Sequence, residues 1–171
     1  MKDFLAYFRE CISENYIVSD GEKNLLKAPN EGIYIKIKSK GRYLLYEFDR
    51  NTGGTKLFPF FKEVPRLNAI ADYVIIGIKQ KTIHVLVIEL KQKDGNPLPQ
   101  IQATKHFMEY LIKSVSRIKK QDHSFYPSKM KLRGICYSKN SKGTTKMEVE
   151  YNNFGNTYLS GNVLWLESYL K

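Results

Sequence analysis

The chain has 171 residues, 42% hydrophobic and 26% charged. That excludes collagen-like, low-complexity and wholly disordered classes, and leaves a single domain long enough to bury about 68–70% of its unfolded surface. Lysine and arginine number 28 against 17 aspartates and glutamates, a formal charge of +11, which points to an anionic partner, nucleic acid first, over a merely soluble basic protein.

Residues 3–17 place Phe4, Phe8, Cys11 and Ile12 at helical spacing, so an amphipathic helix is expected. Gly21, Pro29, Asn30 and Gly32 mark 18–32 as a connector. Residues 33–38 alternate strictly, with Ile33, Ile35 and Ile37 on one face and Tyr34, Lys36 and Lys38 on the other. With 42–48 following Ser39-Lys40-Gly41, they predict a hairpin with one wet, basic face. Lysines there read first as protection of an exposed strand edge, ahead of a nucleic-acid role for this face. Neither the Asn51–Gly54 turn nor Ser141–Thr145 has the lysine order of a phosphate loop.

Residues 71–78 and 83–91 are β-branched strands joined by a short polar loop, and 83–90 is apolar on both faces, as a central strand must be. A long helix over 98–120 follows. Its apolar stripe is Ile101, Thr104, Phe107, Met108, Leu111, Val115 and Ile118, and its other side carries Lys105, Lys113, Arg117, Lys119 and Lys120. Residues 130–138 form a strand parallel to 83–91 through that crossover. A further strand is expected near 145–151, and the tail is ambiguous between helix and strand. No repeat or linker divides the chain. The expectation is one domain over 1–171, an α/β (α+β mixed-sheet) fold with a core of about 3–138 and a C-terminal extension at 139–171.

Cys11 and Cys136 are too few for a disulfide framework or a four-ligand zinc site, and both sit in apolar patterns that read as core. Charged residues interrupt the first ten positions, and no apolar run approaches the roughly 18 residues that span a bilayer. A cytoplasmic, intracellular protein with no membrane contact is therefore expected.

The register of the central hairpin carries the chemistry. Pairing Ile78 with Ile83 sets Ile76 against Val85, Val74 against Val87 and Asp72 against Glu89. Directly opposed residues project to one side, and period two adds Lys91 to that side. Opposed like charges destabilise a sheet unless something binds between them. One lysine balances one carboxylate, whereas a divalent cation balances both, and oxygen ligands suit magnesium or manganese. The plain alternative is a buried Asp–Lys–Glu ion-pair cluster.

Asp72, the Glu89-Leu90-Lys91 run, then a helix and a strand resemble the PD-(D/E)xK nuclease superfamily, the restriction-endonuclease-like fold. That fold has a helix, an antiparallel three-strand meander, a crossover helix and a further strand. The resemblance covers roughly 3–138, its motif is short, and Ala71 stands where the motif's name places proline. It implies that Asp72, Glu89 and the backbone carbonyl of Leu90 bind Mg2+, with Mn2+ as substitute, and that Lys91 orients or deprotonates the attacking water. It implies a glutamate from the first helix, Glu10 or Glu14, and a glutamine from the crossover helix, Gln100 or Gln102. Lys105, Lys113 and Arg117 are candidate phosphate contacts. His84 reads as a packed histidine on the face of Leu86 and Ile88, and His84, His106 and His123 share no metal spacing.

The leading expectation is thus a magnesium-dependent endodeoxyribonuclease, with DNA preferred to RNA as partner and a homodimer compatible with duplex cleavage. The alternatives are a non-catalytic basic nucleic-acid-binding module that keeps the fold, and a structural protein whose acidic pair is only an ion-pair network.

Overall fold

β-branched runs dominate the middle of the sequence and build the middle of the molecule. The computed structural model describes residues 2–48, 69–90, 96–118, 129–137 and 149–171. Lys91, His123, Lys119, Lys120, the Asn51–Gly54 turn and Ser141–Thr145 lie outside the described residues. In chain order the elements are α1 (Lys2–Cys11), β1 (Leu25–Ala28), β2 (Ile33–Lys38), β3 (Tyr43–Tyr46), β4 (Tyr73–Lys79) and β5 (Thr82–Glu89). They continue with α2 (Leu98–Ile118), β6 (Lys129–Tyr137), β7 (Asn156–Leu159), β8 (Val163–Trp165) and α3 (Leu166–Tyr169).

The result is an α+β fold with two mixed sheets. The larger has the order β3-β4-β5-β6-β7, the smaller β1-β2-β8. In the larger sheet β3, β4 and β5 form an antiparallel meander, and β6 and β7 continue parallel to β5. Every residue of β5 is buried, because both faces are covered. One face carries Val74, Ile76, Val85 and Val87 against α1 (Phe4, Phe8) and α2 (Ile101, Met108, Ile112). The other carries Ile75, Leu86 and Ile88 against Leu26, Ile33, Ile35 and Ile37 of the smaller sheet. The Tyr73 hydroxyl joins the two sheets. It donates to the Lys27 carbonyl at 3.0 Å and accepts the Lys27 N–H at 3.3 Å, and burial, with Glu47 adding to it, pushes its pKa up to about 12.

The expected hairpin of 33–38 with 42–48 does not form. β2 pairs with β1 and β8, whereas β3 pairs with β4. Ser39-Lys40-Gly41 is a corner between sheets rather than a hairpin loop. Glu167 pins it, its Oε1 accepting the Ser39 hydroxyl at 2.9 Å and the backbone N–H groups of Lys40 and Gly41 at 2.5 and 3.2 Å. The supposed connector 18–32 contains β1. The first helix ends at Cys11 rather than continuing to 17, and a 3-10 turn follows at Glu14–Tyr16, its Asn15 N–H accepted by the Ser13 hydroxyl. Cys11 is exposed, contrary to its core assignment, while Cys136 is buried.

Residues 149–151 are not in a strand. The tail supplies both alternatives, β8 and then the short α3. On α2 the buried stripe holds Ile112 and ends at Val115 and Ser116, leaving Ile118 65% exposed. Among the described residues no helix is long and apolar enough to cross a membrane.

Candidate functional site

The β4–β5 ladder runs from Lys79↔Thr82 to Tyr73↔Ile88 in the register that the loop pairing predicts. One further step along it sets Asp72 opposite Glu89. Asp72 lies at the bend before β4, and its Oδ2 accepts the Leu90 N–H at 2.6 Å. That bond ties one carboxylate to the backbone immediately after the other. Asp72 is half-buried and Glu89 is only 2% exposed. The row continues across the sheet, since Glu89 pairs with Cys136 and Cys136 with Tyr158. Burial first, and then the Glu89 charge, pushes the Cys136 thiol up to about 11, so this cysteine stays a neutral packing group rather than a nucleophile.

α2 is docked at the same end. Thr104 Oγ accepts the Ala71 N–H at 2.8 Å and donates to the Gln100 carbonyl at 2.8 Å. Gln100 therefore lies one turn before the residue that touches the start of β4, on the side of α2 nearest Asp72. Gln102 is exposed and pairs with His106 at 2.9 Å on the solvent side. Of the two glutamines only Gln100 is brought towards the acids.

The glutamates of the N-terminal segment separate in the same way. Glu10 lines an open cleft of about 480 Å³ with Arg9, Asp20, Lys23 and Tyr43. Tyr43 pairs with Gly77, towards the opposite end of β4 from Asp72. Glu14 opens the 3-10 turn whose Tyr16 carbonyl accepts the Glu47 N–H, at the end of β3 nearer Asp72, and it is exposed.

Lys105 corrects its expected role as a phosphate contact. It is 6% exposed, and its ammonium donates to the carbonyls of Phe154 and Gly155 at 3.1 and 3.4 Å and to Asn156 Oδ1 at 2.5 Å. Three acceptors match three ammonium protons, so this cation anchors the turn before β7. Burial, with Arg133 nearby, holds its pKa below the usual lysine value. Helical spacing assigns Lys105 to the polar side of α2, and nothing local distinguishes a lysine that reaches solvent from one that finds acceptors inside. Lys113 and Arg117 are exposed, Lys113 in an ion pair with Glu109 at 2.7 Å.

His84 is 3% exposed on the strand face of Leu86 and Ile88, away from the acids. Burial, reinforced by Lys131 and Lys79, lowers its pKa from 6.5 to about 4. The folded imidazole stays neutral where the unfolded chain takes up a proton, so stability is expected to fall as pH drops from 6.5 towards 4. His84→Leu should remove that component, as urea midpoints across this range will read.

The Asp72 and Glu89 carboxylates and the Leu90 carbonyl carry oxygen donors, the type that hard divalent cations take. Among the described residues no group of three or more His, Cys, Asp or Glu side chains is placed to hold a metal. Any site here would rest on the acidic pair, the Leu90 carbonyl and water. Comparison with family models, with curated proteins and with solved structures finds no match.

Proposed function

We propose that the chain is a metal-dependent nuclease of restriction-endonuclease-like fold, hydrolysing phosphodiester bonds within DNA. The observation that carries this is the β4–β5 register, whose next step beyond Tyr73↔Ile88 would set Asp72 opposite Glu89, together with the Asp72 Oδ2 that accepts the Leu90 N–H. The element order supports it too. After the first helix, β1 and β2 of the smaller sheet intervene, and the β3-β4-β5 meander, a crossover helix and a parallel strand then come in the order of that fold.

Asp72, Glu89 and the Leu90 carbonyl would hold magnesium, or manganese in its place. The bound ion would supply a water of lowered pKa and Lewis-acid stabilisation of the phosphate oxygens. Asp72, tethered to the Leu90 N–H, keeps the strand exit in place. Lys91, two residues beyond Glu89, would orient the attacking water or take its proton. In such a hydrolysis the water oxygen would bond to phosphorus as the sugar–oxygen bond to phosphorus breaks, its proton passing to Lys91 and the leaving oxygen taking one from solvent. That role for Lys91 is what the resemblance to the PD-(D/E)xK superfamily implies. Gln100 is the crossover glutamine and Glu14 the N-terminal glutamate that fit the same end. Lys113 and Arg117 would meet backbone phosphates, and a twofold dimer acting in the cytoplasm would set one site on each strand of a duplex.

Isothermal titration of manganese into the full chain tests the premise. One saturable site in the wild type, lost in Glu89→Ala, is expected. Heat of dilution alone in the wild type would refute it. The burial of Glu89 favours a second reading, a non-catalytic basic module that retains the fold. It predicts salt-dependent DNA retention with no metal requirement.

A further inference from the structure

The smaller sheet turns one face to the core and the other to solvent. Ile33, Ile35 and Ile37 point inward, and Tyr34, Lys36 and Lys38 are exposed. Pairing adds Lys27 beside Tyr34, Leu25 and Val163 on either side of Lys36, and Trp165 beside Lys38. Tyr34 is 54% and Trp165 55% exposed, and the Lys38 ammonium lies 4.5 Å from the Trp165 ring centre.

Edge protection does not account for these lysines. β2 is the central strand of its sheet, with β1 along 33–36 on one side and β8 along 36–38 on the other, so Lys36 stands between two paired strands rather than on an open edge. Among the described residues no carboxylate lies within salt-bridge distance of Lys36 or Lys38, while Lys27 pairs with Glu22 at 2.5 Å. What remains is an exposed sheet face that carries Tyr34 and Trp165 beside Lys36 and Lys38, whose ammonium groups meet no carboxylate among the described residues, the Lys38 ammonium lying over one face of the Trp165 ring and leaving the other open.

We propose that this face binds single-stranded nucleic acid, with unpaired bases stacked on Tyr34 and Trp165 and phosphates held by Lys36 and Lys38. Tyr34 and Lys38 are four residues apart on one strand, about 13 Å, and Trp165 stands one strand spacing of about 4.8 Å to the side. The rings therefore lie too far apart to stack on each other, with Lys36 between them and Lys38 level with Trp165, as a backbone threaded between two stacked bases requires. Bases in a duplex cover one another's faces, whereas unpaired bases offer them to aromatic side chains. A protein partner is disfavoured because lysine at the centre of a patch is depleted in protein interfaces. The face lies behind the five-stranded sheet, away from α2 and the acidic pair, and its binding needs no metal.

Trp165 is the chain's single tryptophan, so its emission reports on this face alone. Oligothymidylate titrated into the full chain in EDTA is expected to quench Trp165 saturably. Tyr34→Ala should weaken binding by about 5- to 160-fold, from the usual worth of one base–aromatic stack, and Tyr34→Phe should restore it. Lys36→Gln combined with Lys38→Gln should make the slope of log K against log salt shallower by about 1.4, two phosphates' worth for a single strand. Asp72→Asn should change none of these, which separates this face from the proposed cleavage site. Unaltered Trp165 emission at saturating oligonucleotide, or wild-type affinity in Tyr34→Ala, overturns the proposal. So does tighter binding of an equally long duplex through the same side chains, or a dimer that sedimentation shows is lost in Tyr34→Ala.

Discussion

Asp72→Asn and Glu89→Gln are each expected to lower magnesium-dependent cleavage of plasmid DNA by about 10²–10⁴-fold, the usual range for removing one essential group from such chemistry. Both substitutions are chosen to preserve the fold. Asparagine keeps a carbonyl oxygen to accept the Leu90 N–H that Asp72 Oδ2 holds at 2.6 Å. Glutamine keeps the volume of Glu89 while removing a charge from a position 2% exposed, a change that burial itself favours. Thermal midpoints close to wild type together with lost cleavage would place the effect in chemistry. Lys91→Ala should act in the same direction. Full activity in Asp72→Asn and Glu89→Gln would refute the nuclease proposal, and metal-independent DNA binding in both would leave the non-catalytic module.

Gly134→Ala is expected to cost about 3 kcal/mol of stability, at the upper end for overpacking a well-filled core. Gly134 lies in β6 under α2. A Cβ there would stand 2.6 Å from Ile101 Cγ2 and 3.0 Å from Asn156 Cγ, and closer still to Asn156 Oδ1. Asn156 cannot yield without loosening the Lys105 ammonium that it accepts, and a charged hydrogen bond contributes about 1.5–3 kcal/mol. Helix, sheet and the turn before β7 therefore oppose the added methyl together. Urea unfolding should show a lower midpoint at unchanged m-value. Gly21→Ala is the control, since nothing lies within 4 Å of a Cβ at that position, and it should shift stability by no more than about 0.5 kcal/mol. Equal midpoints for the two variants would show that the region repacks freely.

Both predictions concern one end of the large sheet, and much of that end was legible in the sequence. The β-branched runs, the two-residue period and the short polar loop together specify a ladder in which each pair follows from the first. The alternation of β2 and the buried character of β5 follow from local pattern in the same way. The choice between Glu10 and Glu14, and between Gln100 and Gln102, was not legible. Each pair lies within one short segment, and only the docking of that segment decides which member approaches Asp72.

Periodicity and turn chemistry act over a few residues, so the sequence by itself determined where most strands and helices lie, which face of each is apolar, and the pairing of β4 with β5. Which distant segments complete each sheet was decided by tertiary structure alone. β2 is taken from β3 by β1 and β8, Lys105 is drawn inside by acceptors some fifty residues away, and Trp165 arrives beside Lys38 from the end of the chain. These are contacts between segments whose local patterns carry no record of one another. They are selected by the burial and hydrogen bonding of the whole core, which no window of sequence contains.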